Sequence, residues 1–599
     1  MKLNIYTLLN EIVVVKKYDL SVDLFETEKR EQLDTETDKK IFDLCKNISS
    51  LRTKVTDKGI EFHPFMILEG KRTFAIEDLT EEDFISLQLM DLSKVPLKLR
   101  TIIADILWTQ KNNYNAACIA SEAYLEMFEL LFSYENWIGT LDLIKRAIFI
   151  SAQIKKQELY EKCCKTIYDH IIRINGEDTN FLSISLIDVV IRQKYGDISV
   201  ILMIIDKIIQ NQKNSVLKVE RAYELKVKCY KIQKDTASIV QTYLELASYY
   251  ERQAEGKENI DVQRVFNAER FLQKAVKIYR SNGAVNDAER VHKRLTEIEK
   301  EIPKLMMPII TEVDATKLYE NIKRNMEGMT FEECVIRIVQ MTIFYKRDDM
   351  KKELLEEYKK FPLSHLFGAN KINASGQSVL VLPPLDISDP EKNLELLELH
   401  IFQKMLQKQI IAGDFVLKFA LQCIKESCEF QEEDLDFLTK DNPIIPFGRE
   451  RIIKSAIYMF LKGQYYESIH ILAPQTENLF RNIAKEVGGL TVTLENDGTS
   501  KEKVLSTIFD LPELNDCYDN DILFIFRGLL NEKAGANIRN EVAHGLLGES
   551  SAASGACLYF ASAFIKLLSY TSPQCYSILQ TSDKLKAFIE PEKAALKFK

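Results

Sequence analysis

VERAYELKVKCYKI (219–232), a short polar break, then ASIVQTYLELASYYERQ (237–253) carry the pattern from which the architecture follows. In both runs apolar residues return at three- and four-residue spacing, the signature of a helix with one buried face. The break is too short for anything but a tight connection, so the pair reads as two antiparallel helices. The same unit recurs on either side. LKLRTIIADILWTQ (97–110) precedes NYNAACIASEAYLEMFELLF (113–132), and WIGTLDLIKRAIFISAQI (137–154) precedes ELYEKCCKTIYDHIIRI (158–174). VFNAERFLQKAVKIYRSNG (265–283) precedes NDAERVHKRLTEIEKEI (286–302). Gly and Pro number only 21 and 14 in 599 residues. Both interrupt helices, so their scarcity favours long ones. The expected fold class is all-α, and the length implies two to four domains.

The last helical pairs, with Ala and Tyr at packing positions, resemble tetratricopeptide-type hairpins without the strict repeat signature. Residues 97–302 are therefore expected to form a degenerate helical-repeat array. Such an array presents a curved surface for a protein or ligand that triggers the molecule, or is a plain scaffold. Residues 1–96 are mixed and mainly helical. Within them 58–78 carries Gly, Pro and β-prone residues, and Thr80-Glu81-Glu82-Asp83 opens a helix with acidic residues in its first turn. Residues 303–440 are expected to be a helical middle region interrupted by a Gly/Pro/Ser-rich linker at 361–392. That linker contains a strand-like VLVLP. The break DNPIIPFG (441–448) opens a C-terminal domain, 441–599, read as a helical bundle. In it TVTLENDGTS (491–500) reads as a loop, and Asn537 as the N-cap of a helix IRNEVAHGLL.

Charge and cysteines bound the class. Lys and Arg total 80 against 89 Asp and Glu, a net charge of −9, so no global basic field points to nucleic acid. A local patch could still bind a small RNA. Hydrophobic residues at 46% and charged residues at 28% are the mix of a globular protein. The 11 cysteines are scattered in apolar helical patterns and make no C-x-x-C pair, which indicates a reducing, cytoplasmic setting. No secretory leader and no run of about 18 uncharged apolar residues is expected to direct the chain into a membrane.

The chemistry is concentrated in Arg539-Asn540-Glu541-Val542-Ala543-His544-Gly545. Cleavage of RNA by its own 2′-OH needs a proton acceptor, a proton donor and a cation beside the phosphorane. Histidine titrates near neutrality and serves either proton role. Arginine stays charged and forks onto phosphate oxygens, and near a helix start the dipole adds to its effect. No cofactor and no metal ion is called for. Residues five apart on a helix stand about 140° apart, so Arg539 and His544 share a face poorly, whereas Asn540 and His544 share one. The bland reading makes His544 an ordinary helix histidine and Arg539 a surface partner of Glu541 or Asp510.

The RNxxxHG pattern resembles the hallmark of a domain-of-unknown-function family, and also the Arg–four residues–His signature of the HEPN superfamily of helical RNases. A preceding helix, HILAPQTENLFR, carries His470, Pro474, Glu477 and Arg481 in a similar arrangement. The resemblance covers about the last quarter of the chain. It implies a HEPN-like bundle with Arg539, His544 and Asn540 catalytic and Glu477 and Arg481 supporting. It also implies a metal-independent endoribonuclease acting on RNA, tRNA among the candidates, as a defence or stress effector. Two copies of the motif would line one cleft in a homodimer. Glu477 would hold Arg539 or tune His544, and Glu477 with Arg481 also reads as a simple ion pair four residues apart. The alternative is a non-catalytic interaction scaffold whose C-terminal bundle dimerises or binds nucleotide.

Overall fold

The computed structural model describes residues 4–12, 25–56, 59–68, 71–133, 135–255, 262–306, 313–365, 367–373 and 376–586. The fold is all-α, with a few two-stranded hairpins, and divides into two units, Met1–Ile298 and Glu299–Lys599.

In the N-terminal unit the helices pack in series. Leu97–Lys111, Tyr114–Leu131, Trp137–Gln153, Gln157–Ile174 and Leu182–Gln193 each touch the next. Ile198–Asn211 through Val262–Ser281 do the same. The alternate helices Trp137–Gln153, Leu182–Gln193 and Val216–Gln233 also touch in order. The short turns are built locally. Lys234 takes a left-handed conformation (φ 58) to end Val216–Gln233, and the Asp235 carboxylate accepts from the Ser238 amide at 3.0 Å to start Thr236–Ala254. The described residues before 97 share the core of this series. Leu8, Phe42 and Leu87 are buried in the same apolar cluster as Leu99, Ile103 and Ile150. Thr80 and Asp83 form the expected helix start as a reciprocal capping box. The 58–78 stretch contributes the strand Gly59–His63, which pairs antiparallel with Arg52–Thr56.

In the C-terminal unit a single core runs from Ile322 to Leu585, so the segment boundary expected at 440/441 does not divide it. At its centre lies the buried helix Gly555–Thr571, against Leu394–Ile411, the wide π-helical turn Ala412–Leu417, Phe331–Met341 and Tyr465–Glu486. Gly413 and Gly555 permit the closest approach. A Cβ on Gly555 would stand 2.2 Å from the Ile410 carbonyl oxygen, and one on Gly413 1.9 Å from the Gly555 oxygen. Backbone cannot yield to such overlap as a side chain can. Gly555→Ala should therefore lower stability by about 1–3 kcal/mol or more, read as a fall in the thermal midpoint of the C-terminal unit.

Two readings are corrected here. Residues 361–392 are more than a linker: the strand-like VLVLP supplies the strand Ser378–Leu382, which pairs with Ala369–Ile372 as an antiparallel hairpin. The β-branched SVLVL run supplies the strand, and Gly376 (φ 78) supplies the turn. Residues 491–500 are likewise not a loop. Val492–Leu494 pairs with Ser500–Glu502 around an Asp497-Gly498 turn with Gly498 at φ 85. All 11 cysteines are free thiols. Among the described residues, no helix is long and apolar enough to cross a membrane.

Candidate active site

The motif helix is Ile538–Ala543, six residues long. Two features of its N-terminal side differ from the sequence reading. Asn537 precedes the helix with a left-handed backbone (φ 56), and its side chain caps no amide. The Asn537 Oδ1 accepts instead from Nδ2 of Asn540, at 2.6 Å. A helix this short also sums few peptide dipoles, so the support expected for a phosphate from its N-terminus is small.

The C-terminal side explains the His-Gly pair. The helix does not continue through His544, which is its C-cap. Gly545 turns left-handed (φ 66), its amide donates to the Val542 carbonyl at 3.1 Å, and the Leu546 amide donates to Glu541 at 2.8 Å. This is a Schellman ending, in which glycine avoids the Cβ penalty of the left-handed region. A Cβ on Gly545 would meet nothing within 4 Å, so backbone conformation and not close packing requires glycine here. The stop places His544 on the surface, its imidazole exposed and without a hydrogen-bond partner among the described residues.

Arg539 is held from two directions. Its Nε donates to Glu477 Oε2 at 2.8 Å and its Nη1 to Asn540 Oδ1 at 3.1 Å. Glu477 lies 62 positions earlier, on the helix Tyr465–Glu486. Its other oxygen accepts from Arg481 Nη2 at 2.9 Å, and Arg481 Nη1 reaches Glu502 at 2.8 Å. Glu502 is on the Val492–Glu502 hairpin. Glu477 and Arg481 are each 17% exposed at the side chain, whereas Arg539 is 35% exposed. A half-enclosed chain of alternating charge thus fixes the guanidinium while its Nη2 stays without a protein partner among the described residues. Arg539 pairs with neither Glu541 nor Asp510, since Asp510 is taken by Arg527. The Asn540 side-chain amide is committed to Arg539 and Asn537; it makes no hydrogen bond to the His544 imidazole among the described residues, and only the His544 backbone amide reaches Asn540, donating to its carbonyl at 3.0 Å. His470, half-buried, uses Nδ1 on the Tyr466 carbonyl at 2.8 Å and lies under the Tyr466 ring.

The loop that leads into the motif is fixed by packing. The Ala536 amide donates to the Gly528 carbonyl at 2.9 Å, and a Cβ on Gly535 would stand 2.0 Å from that oxygen. Lys371 of the 369–382 hairpin closes over the same loop. Although the residue is largely exposed, its ammonium donates to the carbonyls of Gly535 at 2.9 Å and Lys533 at 3.2 Å. Desolvation there lowers the Lys371 pKa, against the opposing pull of Glu541. Sequence reading missed Glu502, Lys371 and the side-chain role of Asn537. Only the Asp-Gly turn at 497–498 signalled the hairpin that carries Glu502. Nothing local marks Lys371, whose partners lie over 160 residues away.

Removing the shared carboxylate should loosen the whole chain of charge. Glu477→Ala leaves two guanidinium groups to find solvent in a half-buried setting, at about 1–3 kcal/mol. A urea titration of the C-terminal transition, compared with the exposed control Glu549→Ala, measures it.

Among the described residues no group of three or more His, Cys, Asp or Glu side chains is placed to hold a metal ion. In comparison with known proteins, a family model described as Domain of unknown function (DUF7380) matches residues 1–162. That match lies within the N-terminal unit and joins the 1–96 segment to the first helices of the series. No curated protein and no solved structure matches the chain.

Proposed function

We propose that the C-terminal unit is a HEPN-like, metal-independent endoribonuclease, with the N-terminal unit a degenerate tetratricopeptide-like array that regulates it. One observation carries the reading. Arg539 is oriented by Glu477 and Asn540 with its Nη2 unengaged among the described residues, five positions before His544, whose exposed imidazole has no hydrogen-bond partner among them. In this reaction the 2′-OH oxygen attacks the adjacent phosphorus, and the bond to the 5′-oxygen breaks. The products are a 2′,3′-cyclic phosphate and a free 5′-hydroxyl. His544 takes the 2′-OH proton or supplies one to the leaving oxygen, and Arg539 stabilises the dianionic phosphorane. One chain offers a single histidine for two proton transfers. A homodimer that faces two motifs across one cleft supplies the second. Arg481 and Glu477 act as supports that keep Arg539 from collapsing onto nearer acids.

The test is incubation of the full chain with total RNA and with purified tRNA in excess EDTA. Cleavage that leaves 2′,3′-cyclic phosphate ends supports the reading. Cleavage that EDTA abolishes, or that leaves 3′-hydroxyl ends, refutes it. If RNA remains intact in the presence of a binding-competent dimer, the alternative of a non-catalytic scaffold gains.

A further inference from the structure

The N-terminal unit carries a groove of about 890 Å³, walled by the helices Trp137–Gln153, Leu182–Gln193 and Val216–Gln233 and by the strand Arg52–Thr56. Helical spacing selects what faces it. At the second helix Phe181, Ser185, Asp188 and Arg192 follow one another at three- and four-residue steps, so they form one stripe. The other two helices contribute matching stripes. The groove therefore belongs to the repeated packing of alternate helices and is not an accident of one loop.

Its chemistry is two-sided. The floor is apolar, from Leu141, Ile148, Ile184 and Leu225, with Phe149 and Phe181 half-exposed above it. Five cations line it, Lys54, Lys145, Arg192, Arg221 and Lys228, against the two carboxylates Asp188 and Glu224. Lys145 also pairs with Asp142 at 3.1 Å, which leaves a smaller local excess of positive charge in a chain whose net charge is −9. Both carboxylates are already engaged. Asp188 accepts from Arg192 at 2.9 Å and Lys228 at 2.6 Å, and Glu224 from Arg221 at 2.7 Å. The volume lies in the range of pockets that enclose a compact ligand, about 300–1,000 Å³.

Two polyanions could answer the charge. A nucleic acid strand presents phosphates in an unbroken row, so some would fall against Asp188 and Glu224 and over aliphatic floor. A polypeptide can alternate, placing acidic side chains on the cations and apolar ones on the floor. The wall strand favours an extended form. Among the described residues Arg52–Thr56 pairs with a single strand, Gly59–His63, and no second strand pairs along residues 52–55. We propose that this groove binds an extended segment of a partner protein in which acidic and apolar residues alternate. The inference stands whether or not the C-terminal motif cleaves RNA.

Fluorescence anisotropy of the full chain with a fluorescein-labelled ELEFELE peptide tests it, with KLKFKLK as the control. The acidic peptide should bind at least about tenfold more tightly than the basic one, with affinity falling as salt rises. Lys54→Glu with Lys145→Glu, both exposed positions, should weaken it by about tenfold. Ser185→Trp should block the groove without altering charge, and circular dichroism should confirm that both variants keep their helices. Equal binding of the two peptides overturns the proposal, as does acidic-peptide binding that Ser185→Trp leaves intact. A 2′-O-methyl uridine oligonucleotide that displaces the peptide and loses binding through the same substitutions assigns the groove to RNA and also overturns it.

Discussion

His544→Ala is expected to reduce RNA cleavage by about 10²–10⁴-fold, the span of a single general acid–base group, while leaving stability and oligomeric state unchanged. The structural half of this expectation rests on exposure. The His544 imidazole has no hydrogen-bond partner among the described residues, its backbone amide donates to the Asn540 carbonyl, and the turn that follows is made by backbone bonds from Gly545 and Leu546. Truncating the imidazole removes no contact that holds the fold. Arg539→Ala should reach a similar loss by another route, since it removes the cation aimed at the phosphorane. Arg539→Lys should restore little, because an ammonium cannot donate to Glu477 and Asn540 and still present a fork to phosphate. The readout is the rate of tRNA cleavage in EDTA, with size-exclusion chromatography and thermal melting as fold controls. Wild-type rates in the His544→Ala protein would sink the assignment of the motif as the active site. Partial effects that follow stability would assign it a structural role.

Asp105→Ala should be the most damaging single change to stability in the N-terminal unit, at about 3–5 kcal/mol. Asp105 is wholly buried, and Arg146 beside it is 2% exposed at the side chain. The Arg146 Nε and Nη2 donate to its two oxygens at 2.9 and 2.6 Å, and the Tyr124 hydroxyl adds a third bond at 2.9 Å. These residues come from three consecutive helices of the series, so the pair fixes their rotation as well as their contact. Breaking a buried pair leaves the other charge without water or partner, which costs more than the pair itself contributes. The double replacement Asp105→Leu with Arg146→Met should therefore recover most of the loss. Denaturant unfolding followed by circular dichroism distinguishes the outcomes. A double variant no more stable than Asp105→Ala would mean that the network specifies packing beyond its charge.

The two results bear on different halves of the chain, so their failures are separable. Loss of activity with an intact melt speaks to the motif. Loss of the melt with an intact motif speaks to the scaffold that carries the groove.

Much of this protein was legible in the sequence because its signals are local. Three- and four-residue spacing gives the helices, since a helix that must bury one face has no other way to be written. Thr80 and Asp83 give a start, and Gly488 (φ 89) follows the end of the long helix that carries Glu477. The early stop at His544 was also written locally, in Gly545, yet the apolar LeuLeu after it extended the helical pattern and concealed the stop. Where the pattern was short or polar, the reading failed. The Val492–Leu494 strand is too brief for period alone to separate from loop, and beside the strand-like VLVLP the partner strand Ala369–Ile372 carried no signal.

Spacing and residue type alone mark the helices and the candidate pair Arg539 and His544, because both are local signals. What only the tertiary structure decided is which way those side chains are held. Glu477 meets Arg539 across 62 residues, Glu502 closes the chain of charge from a hairpin, and Lys371 clips the entering loop. Those meetings depend on how helices pack, through approaches such as Gly535 on Gly528. Packing is fixed by the shape of a whole core, and no local stretch of sequence records it.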